Sequence, residues 1–547
     1  MTSSDEHLQT QRHESWFASC LRWRCPRPAG QDIVPLACLL LAWLFLHRGF
    51  FRLVDIPLWD ETEYLSAGWR LLHHGASESL LPGSPLYEAW YALVHLLVRD
   101  TLAVLYAQWL TVDLLVTVAI YGVTRASGAG VLLAYVVATY WTSLVFAWDV
   151  PRVGFFALLL ALLAALAERA QRPVRAAILL AAAALARPEY GLALVLWLSI
   201  RCWPRLTRRW RRRLLLGVPL VALVALLLAG PSRLGEGRMW TGFAQHYSLR
   251  WAARHPEARI EPWSDWGMAV AADFPGVGSV GQALVSHPGK LWAHIAHNLL
   301  KYPGLLLGLA LSPALPGKVV GPGLLLALLV AMAWSRKPAG PAWGAVSPLL
   351  LVSCVSILPS LLVEPKAVYA LPVLLVLLFG MARAASAFVP AMRAQHAAVA
   401  CAALTFALWF APPRPGRPLP VATTLAELQR VWSRQPSGTT WRMLEADGGW
   451  CTYVDPEGCA SLWLLRKSAG EGFLDHVRAV DANAVLVSAS FRRSARVNGD
   501  AEFARFLADP SCLGFRLVFA NQDHAFYLKS AKPQAAPAIQ GRPVPDP

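Results

Sequence analysis

Three carboxylates fall within four residues in the stretch Leu58-Trp59-Asp60-Glu61-Thr62-Glu63-Tyr64. A carboxylate beside hydrocarbon loses hydration and takes up a proton more readily, which suits a general base acting on a hydroxyl. The stretch lies just past the first hydrophobic segment, Ile33 to Phe51, with an interfacial Trp and Tyr at its two ends. The same residues also fit a helix start. Asp60 and Glu63, three positions apart, form a capping pair, and Leu65, Trp69 and Leu72 then share one apolar face of a helix over Glu61 to Leu72. Base and cap are compatible roles.

A second acid stands in Ala147-Trp148-Asp149-Val150-Pro151-Arg152. Asp149 and Arg152 would act on a ligand or make no more than a surface ion pair at a Pro-containing turn. Arg187-Pro188-Glu189 separates two apolar runs, Val174 to Ala186 and Tyr190 to Ile200, each too short to cross a bilayer. A hairpin of partial helices with Arg187 at its tip satisfies both facts, because irregular backbone at membrane depth survives only against protein or a water-filled cavity. Arg187 is there either as half of a pair with Glu189 or as a cation facing an anionic ligand. His246, His255, His287, His294 and His297 match no metal-ligand spacing and read as single interfacial or surface histidines.

The elements that position these groups follow from composition. The chain has 547 residues, 56% of them hydrophobic and 15% charged, with a mean hydropathy of +0.42. Many apolar runs reach the roughly 20 residues that span a bilayer core, and no alternating strand pattern precedes residue 410. The expected fold is an all-α polytopic membrane bundle of about 11 to 13 transmembrane or partial helices, with a small carboxy-terminal soluble α/β domain. The net charge of +16 sits in loops: Arg22, Arg24 and Arg27; Arg169, Arg172 and Arg175; Arg201, Arg205, Arg208, Arg209 and Arg211 to Arg213. That is the positive-inside pattern, not a nucleic-acid surface.

Sidedness then fixes the organisation. Residues 1–32 form a basic cytoplasmic amino terminus without the short apolar core and cleavage site of a signal peptide, so the first span is expected to be retained. Residues 33–411 form the membrane domain, with outer loops 52–100 and 231–301. Pro85 to Val98 lies in the interface, Thr101 to Val123 runs inward, Val131 to Phe146 returns, and Val153 to Leu166 goes back in. Leu214 to Gly230 leads outward, and Pro303 to Pro313 is read as non-spanning beside Val320 to Trp334. Val346 to Val363 exits, leaving Glu364-Pro365-Lys366 outside, Tyr369 to Met381 enters and Ala397 to Phe410 exits. Residues 412–530 form an extracytoplasmic α/β domain with helix-like Leu425 to Trp432 and Asp500 to Leu507 and strand-like Ala484 to Ser488, Phe515 to Phe519 and Ala525 to Leu528. In that compartment Cys451 and Cys459 could pair, although Cys512 is then left over. Residues 531–547 are a Pro/Ala-rich disordered tail. No phosphate-binding Gly loop appears, which argues against nucleotide-driven chemistry.

Trp59-Asp60-Glu61-Thr62-Glu63-Tyr64 resembles the acidic motif in the first outer loop of the C-type membrane glycosyltransferases, in the branch of lipid A aminoarabinose transferase and the protein O-mannosyltransferases. Ser84-Pro85-Leu86-Tyr87 with Trp90 is similar to the next interfacial motif, and Asp149-Val150-Pro151 to the second acidic turn. Arg187-Pro188 is similar to the partial-helix tip, and Lys366 with Tyr369-Ala370-Leu371-Pro372 to the late motif. Glu63 stands where many members carry a basic residue, and Gly83 and Ser84 replace a frequent lysine.

The resemblance implies transfer of a sugar from a polyprenyl-phosphate carrier to a glycan, lipid or protein acceptor at the outer face of a prokaryotic plasma membrane. It makes Asp60 the base, has Glu61 and Asp149 orient the acceptor or hold a divalent ion, and gives Arg152, Arg187 and Lys366 to the phosphate. Glu63, Tyr64 and Tyr369 join the substrate-binding set. No organic cofactor and no nucleic-acid partner is expected. A transporter or lipid flippase using Asp60, Asp149 and Arg187 as a charged pathway is the alternative, and a silent scaffold presenting the soluble domain a third reading.

Overall fold

The computed structural model describes residues 30–49, 54–75, 84–145, 152–202, 238–311 except 259 and 264, 347–386, 394–410, and 418–529 except 465, 466, 468, 469 and 495. The expected segments Leu214 to Gly230 and Val320 to Trp334, the tail 531–547 and Asp149 lie outside them. The described residues are mostly helical, with one five-stranded sheet near the carboxy terminus. The chain divides into two compact units. The larger comprises Met1–Val54, Ala67–Ser248 and Ala269–Arg417; the smaller comprises Asp55–Ser66, Leu249–Met268 and Pro418–Pro547.

Apolar helices build the larger unit. Two of them among the described residues, Thr101–Ala126 and Ala367–Ser386, are long and apolar enough to cross a membrane. The first opens where the Asp100 carboxylate accepts the Ala103 N–H at 2.7 Å, a side-chain cap for an otherwise orphaned donor. Near its other end, Tyr121 and Arg125 both donate to Asp32, at 2.6 and 2.9 Å, at the start of Ile33–Leu46. Arg383 reaches the Ser127 carbonyl at the same end, so the basic residues Arg125 and Arg383 gather on one side of these helices. Gln108 donates to the hydroxyls of Tyr87 and Tyr91, which fixes Pro85–Leu97 against Thr101–Ala126.

A charge inside an apolar helix needs partners. Asp113 has no exposed surface; the Trp43 indole donates to it at 2.7 Å and His47 lies 3.1 Å away. Outward positions on the same helices are apolar, Leu40, Leu41 and Leu44 on Ile33–Leu46 and Leu115 and Val118 on Thr101–Ala126, a pattern that water does not favour.

One boundary differs from expectation. The apolar run from Pro303 does not start an element: Pro288–Leu311 runs through that proline. The missing N–H removes one ladder bond, and apolar packing of Leu291, Tyr302, Leu309 and Ala310 on either side keeps the helix going.

In the smaller unit the strands are β1 Trp441–Glu445, β2 Cys459–Trp463, β3 Ala484–Ser488, β4 Phe515–Ala520 and β5 His524–Lys529, in the order β2-β1-β3-β5-β4. β1 pairs parallel with β2 and β3, while β5 pairs antiparallel with β3 and β4. Val485, Val487, Phe473, Phe491, Phe506 and Tyr527 form much of the core. Pro420–Trp432 opens this domain, and its first N–H groups, of Val421 and Ala422, are accepted by the carboxylate of Asp55 at 3.1 and 2.9 Å.

Cys451 and Cys459 form a disulfide with eight residues of separation, and Cys512 is free and exposed. Closing so short a loop stabilises by about 2 to 3 kcal/mol. Cys451→Ser with Cys459→Ser is expected to lower the unfolding stability of the protein in detergent by that amount, read from denaturant titration; an unchanged midpoint contradicts a structural role for the bond.

Candidate functional site

Asp60, Glu61, Glu63 and Tyr64 belong to the smaller unit, and Arg187, Lys366 and Tyr369 to the larger. Asp149 lies outside the described residues, as does the side chain of Arg152, the first residue of the helix Arg152–Arg169.

The acidic stretch is held by its backbone. Trp59 has φ +65°, a left-handed conformation uncommon for a bulky residue and sustained only by its surroundings. Its carbonyl accepts the N–H groups of Thr62 and Glu63 and the Thr62 hydroxyl at 2.6 Å, so the helix Asp60–His73 starts abruptly at Trp59. Asp60 is therefore the first helical residue and not the residue before the helix, which is where the cap was expected. Three acids in this first turn suit the positive end of the helix dipole. Asp60 is exposed, whereas Glu61 and Tyr64 are each only 4% exposed.

Further anchors come from the carboxy-terminal residues of the same unit. The Trp59 N–H donates to the Gly448 carbonyl at 3.2 Å, and the Tyr453 hydroxyl donates to the Pro57 carbonyl at 2.7 Å. The Trp59 ring meets Trp463 edge-on with centroids 5.8 Å apart.

In the larger unit Arg187 stands between the helices Pro173–Ala186 and Tyr190–Cys202. Its extended backbone, φ −138° and ψ 105°, is what a residue before proline adopts, so Arg187-Pro188 itself breaks the helix. The guanidinium pairs with Glu189 at 2.5 Å and lies over the rings of Tyr369, 5.0 Å from the centroid, and Tyr190, 5.8 Å away. The Ser356 hydroxyl donates to the Tyr190 oxygen at 3.3 Å. Gly154 has no room for a Cβ, which would run into Val368 and approach Arg187. The arrangement combines a flat cation, two aromatic rings and one carboxylate, and a guanidinium is a planar donor suited to oxyanions.

Lys366 is exposed at the start of Ala367–Ser386, with Tyr369 one turn on. Nearby Glu364 lies 3.6 Å from both His246 and Lys301. His246, against partial burial and with help from Lys301 and Lys366, keeps the Glu364 carboxyl below the usual range. Burial in turn holds the His246 imidazole below its ordinary value.

His294 and Asn298 were not read from the sequence as part of this arrangement. His294 Nε2 lies 2.9 Å from the Leu362 carbonyl, and Asn298 Nδ2 donates to the carbonyls of Leu361 and Val363 at 3.0 and 2.9 Å. They close the end of Ser347–Leu362 and so place Glu364-Pro365-Lys366. The four-residue spacing that puts both on one helix face was the available signal. Asn298→Ala removes the Nδ2 donor from the Leu361 and Val363 carbonyls, the second of which keeps His294 Nε2 at 3.2 Å, and is expected to cost roughly 1 to 3 kcal/mol of stability, measured by unfolding in detergent; a neutral effect contradicts the latch.

Among the described residues no group of three or more His, Cys, Asp or Glu side chains gathers to hold a metal ion. No family model matches this sequence, and no curated protein matches it either.

Proposed function

We propose that the protein is a polytopic membrane glycosyltransferase that moves a sugar from a polyprenyl-phosphate donor to an acceptor hydroxyl at the outer face of a prokaryotic plasma membrane. The observation that carries this reading is the Arg187 guanidinium, largely buried at a helix break, ion-paired with Glu189 and lying over the rings of Tyr190 and Tyr369. A donor anchored by its own lipid keeps its phosphate at the interface and needs a fixed cation there, and no nucleotide fold. The clustering of Arg125 and Arg383 at the Asp32 end of the helices supports a cytoplasmic side there.

In this reaction the Asp60 carboxylate takes the proton of the acceptor hydroxyl as its oxygen attacks the anomeric carbon. The bond from that carbon to the phosphate oxygen breaks on the opposite side, so the anomeric configuration inverts. The electron pair stays on the departing phosphate, whose added charge Arg187 and Lys366 stabilise. Glu61 and Asp149 orient the acceptor, and Tyr369 packs beside the guanidinium that the phosphate meets. Membranes containing the protein, supplied with defined polyprenyl-phosphate sugars and a lipid extract, are expected to yield a glycosylated acceptor without added nucleotide; no product from any donor contradicts the reading.

A further inference from the structure

The carboxy-terminal sheet contains a buried acid that the reaction above does not use. Glu445 ends β1 and is 1% exposed. Its Oε1 accepts the Gly449 N–H at 3.0 Å and the hydroxyl of Ser461 on β2, while Oε2 has no hydrogen-bond partner among the described residues. A glutamine would make these two contacts as weaker, neutral hydrogen bonds without the cost of burying a charge. The acid therefore asks for a purpose beyond packing.

What the adjoining turn holds is the acidic stretch. Gly448 accepts the Trp59 N–H. Gly449 has φ +100° and no space for a Cβ, which would collide with Oγ1, Cβ and Cγ2 of Thr62. Trp59 and Thr62 flank Asp60 and Glu61, so the direction of the two acids follows from this turn. Tyr453 on Pro57 and Asp55 on the start of Pro420–Trp432 fix the preceding residues to the same domain.

We propose that Glu445 is a positioning residue for Asp60: ionised, it holds the Gly448-Gly449 turn against Trp59 and Thr62 and so aims Asp60, and protonated it relaxes that hold. The proposal rests on Asp60 being the base of the reaction above. Burial, partly offset by the Ser461 hydroxyl and the Gly449 N–H, pushes the carboxyl up to about 7, so the hold changes near neutral pH. Asp447, on the turn itself, adds to the rise. The packed helix start contributes Asp60, Glu61 and Glu63. β2 offers Ser461 and Trp463 opposite Met443 and Glu445, and β3 offers the uncharged Ala484 and Val485. His524, edge-on to Trp450, has Asp447, Asp523 and Asp55 around it, but burial holds its imidazole below the ordinary value.

The test is the pH dependence of kcat for the full chain in membranes, at matched protein level, for the wild type, Glu445→Gln, Ser461→Ala and Asp60→Asn. The wild type is expected to lose kcat as pH falls through about 7. Glu445→Gln should lie about tenfold below the wild type at alkaline pH, converge with it at acid pH, and keep the donor KM. Ser461→Ala removes a donor that favours the ionised form, so its limb should move upward by about one pH unit. A constant ratio of Glu445→Gln to wild type across the range, or an unmoved limb in Ser461→Ala, overturns the proposal; if Glu445→Gln does not accumulate, Ser461→Ala decides alone. Asp60→Asn inactive beside an unaffected Glu445→Gln defeats only this inference, whereas an active Asp60→Asn defeats the assignment of the base.

Discussion

Asp60→Asn is expected to reduce sugar transfer by about 10² to 10⁴ while the protein accumulates in the membrane at its normal level. Asn keeps the shape of Asp and cannot take a proton from the acceptor. The loss corresponds to about 3 to 5 kcal/mol on the barrier. Folding cannot account for it, because Asp60 is exposed and the turn is fixed by the backbone of Trp59 and by Thr62. The charge at the helix start is worth about 0.3 to 1 kcal/mol. Transfer retained by Asp60→Asn, measured with a labelled donor at matched protein level, removes Asp60 from the chemistry.

The second large effect separates two roles of Arg187. If the guanidinium serves only to neutralise Glu189, Arg187→Ala strands a half-buried carboxylate and costs about 3 to 5 kcal/mol, and removing both side chains repairs it. If it also receives the phosphate, Arg187→Ala with Glu189→Ala recovers membrane level but not transfer. We expect the second result, with transfer down on the order of 10²-fold. Arg187→Lys should fall between, since a lysine keeps the charge but loses the flat face that lies 5.0 Å over Tyr369. Recovery of both level and activity in the double variant contradicts an anion-binding role.

Much of the helical framework was legible because it is locally encoded. Pro85–Leu97, Pro173–Ala186, Tyr190–Cys202 and Ser347–Leu362 begin and end within a residue or two of the apolar runs that predict them. β3 was readable as the continuous apolar run Ala-Val-Leu-Val-Ser. β1 and β2 were not: each is five residues long, and their burial patterns lack the alternation that marks a one-sided strand. The apolar run from Pro303 hid the true start of its helix, because the half-polar turns from Pro288 belong to the same element.

The acidic stretch was visible as chemistry and Arg187-Pro188 as a helix break, since both depend on neighbouring residues. What holds them was invisible. Trp59 finds its acceptor on Gly448, and Asp55 caps a helix that starts at Pro420; no local periodicity reports contacts so far apart in the chain. For the same reason Asp55–Ser66 read as an outer loop of the membrane domain, whereas it clusters with the carboxy-terminal sheet.

The central claim is that a sugar leaves its lipid phosphate on this protein. The direct measurement is to reconstitute the purified chain into vesicles with one defined polyprenyl-phosphate sugar and a lipid-extract acceptor, and to quantify carrier and product together by mass spectrometry. The account predicts one free polyprenyl phosphate for each glycosylated acceptor, without nucleotide. Donor that reaches the opposite leaflet with its sugar still attached, and no acceptor product, would show a lipid transporter instead.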